Sequence, residues 1–333
     1  MDVRNSGRTL AALAPIAMAT AGCGLAKNGV GVAPRRPGTE LARYETPAGA
    51  GAVHVVIVAE ADRDEKVHDA LAHAAEAAET WTNLLAEGPG SAVARINDAA
   101  GKEPVEVGDD VCAVFRRAAA FSHASKGAFD VTAAAEDPAH IDWKKVDVDP
   151  RGHTVFLSDA GMKVTLAGIA PGIAIEAARE SLQNDGFDDF EIDGHHARYF
   201  GGDAGGAPWR AAIDDPHDPG RVLATVTLRD EALATASETG HILDPKTGAP
   251  AKGFSSVTVL ASDTTTAYGY GVAVFAAGPE AGTEILLARG LQGVLVTSSS
   301  GGAASTISVT AGLKGRIDLS TWTGGVRWLE AKR

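Results

Sequence analysis

With 333 residues and 45% apolar side chains, the chain is long enough for one large domain or two small ones, and it is not a disordered protein. Asp and Glu total 43 against 30 for Lys and Arg, and the net charge of -13, with no compensating basic block, excludes nucleic acid as a partner. Two cysteines, Cys23 and Cys112, are too few for a disulfide framework and lack the paired spacing of zinc or redox motifs.

At the start of the chain, Arg4 and Arg8 precede an apolar stretch from Leu10 to Met18 and then Thr20-Ala21-Gly22-Cys23. The pattern resembles a lipoprotein export signal over 1–23, with an apolar run too short to span a bilayer. Cys23 is the candidate lipidation site, which predicts an exported protein held on a membrane by a lipid anchor. A cleaved signal without lipidation is the alternative, because Thr20 stands where such signals usually have Leu. Residues 24–52 are rich in Gly, Pro and Ala without apolar periodicity and predict a flexible tether.

From residue 53 onward the pattern changes. Val53 to Ala59 is an apolar, β-branched run of strand length, and Val67, Leu71, Ala74, Ala78, Trp81 and Leu85 then recur at helical spacing. A second helix is predicted over Asp109 to His123, with Cys112 as a small core residue on its apolar face. Strands are expected at Thr154 to Leu157, Val164 to Leu166 and Phe190 to Ile192. Between the last two, Ile175, Ala178 and Leu182 mark a helix over Gly172 to Gln183, stopped by Asn184-Asp185-Gly186. Further strands are predicted at Trp209 to Ile213, Val222 to Leu228, Ser256 to Leu260, Gly293 to Thr297 and Thr306 to Val309, and apolar helical stretches at Ala267 to Ala277 and Pro279 to Arg289. The fold class expected is α+β, with mixed sheets and helices in one domain of one or two lobes over 53–333.

Signatures of serine hydrolases, zincins, P-loop proteins and dinucleotide-binding Rossmann folds are missing. What the chain has instead is an ordered set of segments: Ser91-Ala92-Val93-Ala94-Arg95-Ile96-Asn97, Gly127-Ala128-Phe129-Asp130-Val131-Thr132, Gly168-Ile169-Ala170-Pro171-Gly172 and His241-Ile242-Leu243-Asp244-Pro245-Lys246-Thr247-Gly248. Each has a plain structural reading. Gly127 to Asp130 fits a turn with Phe129 anchored in the core and Asp130 capping backbone donors, and Asp244 to Gly248 fits a turn with Pro in its second position. Gly168 and Gly172 flank a bend before a helix, which either admits a nucleotide phosphate or only lets the chain turn tightly.

In order and spacing, together with Pro208-Trp209-Arg210, Ala234-Thr235 and Val257-Thr258-Val259, these segments resemble the FAD:protein FMN transferase (ApbE) family from about residue 53 to 300. The resemblance implies cleavage of FAD, transfer of its FMN part to a Ser or Thr hydroxyl of an exported acceptor protein, and release of AMP. It also implies a magnesium ion to neutralise the pyrophosphate as the bond breaks. By the same resemblance, Ala128, Phe129, Asp130 and Leu243 contact the flavin nucleotide, as do the positions of Thr165 and Pro171. The Gly168 carbonyl reaches the metal, and His241 is the candidate base for the incoming hydroxyl.

Several positions carry a different side chain from the family pattern. Tyr268 stands where the metal-binding Asp belongs and Val272 where its Thr belongs, and neither replaces a hard oxygen ligand. Thr165 occupies another Asp position, Pro171 a Lys position and Glu87 the position of a flavin-stacking Tyr, while Gly194-His195-His196 replaces a Gly-Gly-Asp turn. Asp263 or the hydroxyls of Thr264, Thr265 and Thr266 are candidate replacement ligands. A different metal site of His195, His196 and His241 would require the fold to gather them. Two readings follow: a working flavinyl transferase, or a module that binds a flavin nucleotide or a partner protein without turnover.

Overall fold

The computed structural model describes residues 41–45, 53–60, 63–194, 196–218, 220–297 and 307–331. Cys23, the rest of the export signal, most of the 24–52 segment, His195 and Thr306 lie outside them. In chain order, β1 (Leu41–Glu45) and β2 (His54–Glu60) lead into α1 (Asp64–Leu84), α2 (Ala92–Asp98), β3 (Val105–Glu106) and α3 (Asp109–Ala124). Then come β4 (Val146–Asp149), β5 (Thr154–Leu157), α4 (Ala170–Asn184), β6 (Phe190–Asp193), β7 (Ala197–Gly201), β8 (Trp209–Asp214), β9 (Val222–Leu228) and β10 (Glu231–Ser237). The chain continues through β11 (Phe254–Ala261), α5 (Thr264–Ala288), β12 (Gln292–Thr297), β13 (Ile307–Thr310), β14 (Ile317–Asp318) and β15 (Val326–Leu329).

Nine strands form one sheet in the order β1-β2-β6-β7-β10-β11-β12-β13-β15. Its pairs are antiparallel except β13 with β15. Alternation along the strands gives the sheet two buried faces. One face takes helices: Val67, Leu71 and Ala74 of α1 and Ile175, Ala178 and Leu182 of α4 share a core with Val55, Ile57 and Ile192. The other takes the small sheet β14-β9-β8, where Trp209, Val226 and Leu228 pack on Leu233, Leu260 and Val294. Central β11 is therefore buried along its whole length. A second group, α2, α3 and the sheet β3-β5-β4, adds Phe115, Phe121, Val155 and Leu157 to a core that runs on into Val257, Val259 and Phe275. The architecture is the expected α+β, and Cys112 is buried in this last core, where desolvation raises its thiol pKa.

Three local readings need correction. Leu41–Glu45, inside the stretch read as a tether, pairs along β2 as the outermost strand of the large sheet, because the open edge of β2 supplies the hydrogen bonds that the segment's own composition does not signal. Val164 to Leu166 is not a strand, although Val164 and Leu166 are fully buried. Side chains and a loop take the place of a neighbouring strand there: Asn97 accepts from the Val164 N–H at 2.7 Å and donates to its carbonyl at 3.0 Å, and the Thr165 N–H bonds the Val131 carbonyl at 2.8 Å. β7 and β10 were not anticipated as strands, and the alanines of β10 (Ala232, Ala234, Ala236) are buried in the cores beneath α4 and α5. The two apolar helical stretches expected after residue 264 are both present: α5 is broken by non-helical backbone at Gly278 (φ 76°), just before Pro279, and this break separates them.

Three of the four long helices, α3, α4 and α5, are pinned to one another at a single place. Arg117 of α3 donates to both oxygens of Glu176 on α4, at 2.7 and 3.2 Å, and to Asp263, the N-cap of α5, at 2.7 Å. Glu176 also accepts the Thr265 N–H at 3.0 Å and Asp263 the Thr266 N–H at 2.8 Å. Burial opposes the charge on Asp263, but these hydrogen bonds and the guanidinium hold its carboxyl below the usual range. Beside this network a Cβ on Gly172 would lie 2.7 Å from Thr265 Cα and 2.9 Å from the Thr264 carbonyl oxygen, so α4 meets α5 backbone to backbone. Gly172 serves this crossing and not a phosphate, and Pro171 occupies the first turn of α4, where its missing N–H costs nothing.

Candidate active site

Between the α2/α3 group and the end of the large sheet lies a cavity of about 420 Å³, within the usual size of a small-molecule site. Four stretches of chain far apart in sequence build it: residues 128–134, residues 163–168, the end of β10 with the loop to Pro245, and one face of α5 at Tyr268, Gly271 and Val272. Glu87 and His196 complete the lining. Of the residues singled out from the sequence, Ala128, Phe129, Asp130, Thr165, Gly168, His241 and Leu243 meet here, and Pro171 does not.

The first wall is rigid. After α3 the chain turns through Lys126 and Gly127 at φ 56° and 82°, and the Ser125 hydroxyl then accepts the Phe129 N–H at 2.9 Å. Phe129 is buried, its ring 5.7 Å from that of Phe121. Asp130 has one oxygen on the N–H and hydroxyl of Thr132, at 2.8 and 2.6 Å, and the other on the Trp143 N–H at 3.1 Å. Burial pushes the Asp130 carboxyl above its usual pKa even though these hydrogen bonds oppose the shift. Its capping role is thus the one visible in the structure.

Glu87 and Thr165, two apparently separate departures from the family pattern, are joined. The Thr165 hydroxyl donates to Glu87 Oε1 at 2.6 Å, and the same oxygen accepts the Leu166 N–H at 2.9 Å. The Thr165 hydroxyl in turn accepts the Ala167 N–H at 3.1 Å. A carboxylate thus reaches this loop from position 87 instead of arising at 165. Glu87 holds the loop in shape, with one oxygen fully engaged in doing so.

Across the cavity, Tyr268 and Val272 lie one turn apart on α5 and so on one helix face. A Cβ on Gly168 would lie 3.0 Å from the Phe129 ring and 3.8 Å from Val272 Cγ1, so a phenyl edge and an isopropyl group occupy the space beside the Gly168 Cα. Burial raises the pKa of the Tyr268 phenol, which takes it further from the anionic form that could ligate. Asp263 is committed to Arg117 and to capping α5, while the Thr264 and Thr265 hydroxyls are buried without partners among the described residues; none of the three lines the cavity. Among the described residues no group of three or more His, Cys, Asp and Glu side chains could hold a metal. The described residues do not fit a magnesium ion; His196 and His241 share the cavity, and His195, the third member of the histidine site considered from the sequence, lies outside the described residues.

His241 sits at the cavity in the left-handed region (φ 51°), exposed and without a partner among the described residues. Holding a non-glycine residue there costs on the order of 1 kcal/mol. The next segment is a firm turn: Asp244 accepts from the Lys246 N–H at 2.9 Å and the Thr247 hydroxyl at 3.2 Å, and its carbonyl accepts the Gly248 N–H at 2.8 Å. Thr235, from the Ala234-Thr235 segment of the resemblance, lines the cavity, and so do Lys163, Ala167 and Ser237, which had no sequence signal because nothing local to them marks a site.

Comparison with known proteins gives the family and the fold. A protein-family model described as the ApbE family matches residues 51–138 and 133–295. The FAD:protein FMN transferase of Rhodobacter capsulatus is 31% identical over 51% of the chain and 35% of its own length, so the chain spans about a third of that relative. The Haemophilus influenzae protein of the same name is 26% identical over 60% of the chain and 69% of its own length. Among solved structures, the flavin transferase ApbE of Vibrio cholerae superposes with a TM-score of 0.71 at 20% identity, covering 84% of this chain and 99% of that one. The ApbE protein of Thermotoga maritima gives 0.67 at 25% identity, covering 79% and 96%.

Proposed function

Because this chain belongs to the ApbE family, we propose that it binds FAD in the cavity and passes the FMN part to a Ser or Thr hydroxyl of an exported acceptor protein. In the transfer, the acceptor oxygen bonds to the FMN phosphorus, the phosphoanhydride P–O bond breaks, and AMP leaves with the bridging oxygen. The hydroxyl proton passes to His241, the exposed imidazole at the cavity. The observation that carries this reading is the convergence of Ala128, Phe129, Asp130, Thr165, Gly168, His241 and Leu243 from separate segments on one cavity. Positioning of FAD against the acceptor would fall to the rigid 128–134 wall and the loop braced by Glu87.

Tyr268 and Val272 favour a second reading, in which the same cavity holds the flavin nucleotide without turnover. Incubation of the purified protein with FAD separates the two by AMP release. The transferase reading expects AMP, and it expects His241→Ala to lower the rate by about a hundredfold while FAD affinity changes little. FAD binding with no AMP from the unaltered protein would instead establish the binding module.

Export and lipid anchoring at Cys23 belong to the same proposal, supported by Arg4, Arg8 and the apolar stretch before the cysteine. Cys23→Ala should move the protein from the membrane fraction to the soluble fraction of cells. Retention of the variant in membranes would remove the anchor from the account.

A further inference from the structure

Lys163 lines the cavity two residues before Thr165, is exposed, and makes no ion pair or hydrogen bond with any described residue. The two carboxylates of the lining have other partners: Asp130 holds Thr132 and Trp143, and one oxygen of Glu87 holds Thr165 and Leu166. Among the described residues of the lining, Lys163 carries the one fixed positive charge. In a protein of net charge -13, a phosphorylated ligand entering this cavity needs local cationic compensation. Val272 and Tyr268 deny that role to a divalent cation.

We infer that Lys163 is the phosphate anchor of this cavity, and that flavin nucleotides bind here without a divalent cation. The inference rests on the flavin reading of the cavity and adds to it the group that recognises the phosphate. An ammonium on a four-carbon stem at the rim can follow a phosphate into the cavity and give it charge-assisted hydrogen bonds. The loop carrying Lys163 is fixed from below by Asn97 and Glu87, so the stem starts from a defined place.

The test is a set of fluorescence titrations of the full chain with riboflavin, FMN and FAD, in EDTA and in magnesium, for the unaltered protein, Lys163→Met and Lys163→Arg. Expected are affinities for FMN and FAD in EDTA within about twofold of those in magnesium. Lys163→Met should weaken FMN and FAD by about tenfold, leave riboflavin unchanged and be largely rescued by Lys163→Arg. Tenfold or greater loss of FAD affinity on adding EDTA to the unaltered protein would return the phosphate to a metal and overturn the inference. Equal losses for riboflavin and FMN in Lys163→Met, or no loss for either, would also overturn it while leaving flavin binding intact. Failure of all three flavins to bind the unaltered protein would instead remove the flavin reading itself, and the anchor with it.

Discussion

Tyr268→Asp combined with Val272→Thr should make FAD cleavage magnesium-dependent and raise AMP release by about a hundredfold over the unaltered protein. The two positions lie one turn apart on α5, on the face that closes the cavity, and Val272 faces Gly168. An aspartate and a threonine there would place a carboxylate and a hydroxyl beside the Gly168 backbone, the hard oxygen donors that magnesium requires. Val272→Thr preserves shape but brings a hydroxyl that needs a partner, and an aspartate at half-buried position 268 is uncompensated without metal. The double variant should therefore lose about 1–3 kcal/mol of stability in EDTA and recover part of it in magnesium. That recovery is a readout independent of turnover. If thermal unfolding is indifferent to magnesium and AMP release does not rise, the loss of ligands at 268 and 272 is not what separates this site from a metal-dependent one.

The second large effect concerns the frame. Gly172→Ala should destabilise the protein by about 2–4 kcal/mol and lower the unfolding midpoint by about 5–10 °C. The new methyl would lie 2.7 Å from Thr265 Cα and 2.9 Å from both the Thr264 carbonyl oxygen and the Thr265 nitrogen, all of them backbone. No side chain can swing away to make room. α5 is held at this end by the Asp263 cap and by Glu176, so relief would require separating α4 from α5 and stretching the Arg117 network. Gly325→Ala is the control, since nothing lies within 4 Å of its added Cβ, and it should be neutral within about 0.5 kcal/mol. A Gly172→Ala variant as stable as that control would show that the crossing is looser than its geometry indicates.

Most regular elements could be read from periodicity because their partners demand it. Val67, Leu71, Ala74 and Ala78 recur on α1 because one face must cover the sheet, and Ile175, Ala178 and Leu182 do the same for α4. What escaped reading depends on contacts between residues far apart in the chain. Val164 to Leu166 has strand-like alternation, but an amide from position 97 and a carboxylate from position 87 serve its backbone, and no local pattern announces a partner some seventy to eighty positions away. β10 is rich in alanine, a weak strand former, and owes its place to neighbours on both sides and helices above.

The site shows the same division. Phe129, Gly168, His241 and Leu243 were legible because ordered segments carry them. Lys163 was not, since a lysine between Met162 and Val164 is unremarkable until folding sets it beside the cavity. Thr165 and Glu87 were each noted as a departure, yet only folding shows that they bond to each other.

β10, whose end supplies Thr235, Ala236 and Ser237 to the cavity, is the fifth of the nine strands of the large sheet. The floor that these residues form pairs with β11 from Thr235 to Ser237 and, on its other side, the Thr235 N–H bonds the His196 carbonyl, so it cannot be displaced without opening the middle of the sheet. The arm from His241 to Pro245 has no such surroundings, being tied down mainly by its own tight turn. Accommodation of guests of different shape therefore falls to that arm. Changes in that arm outside His241 and Leu243 would reshape the mouth of the cavity while the base beneath stays in place.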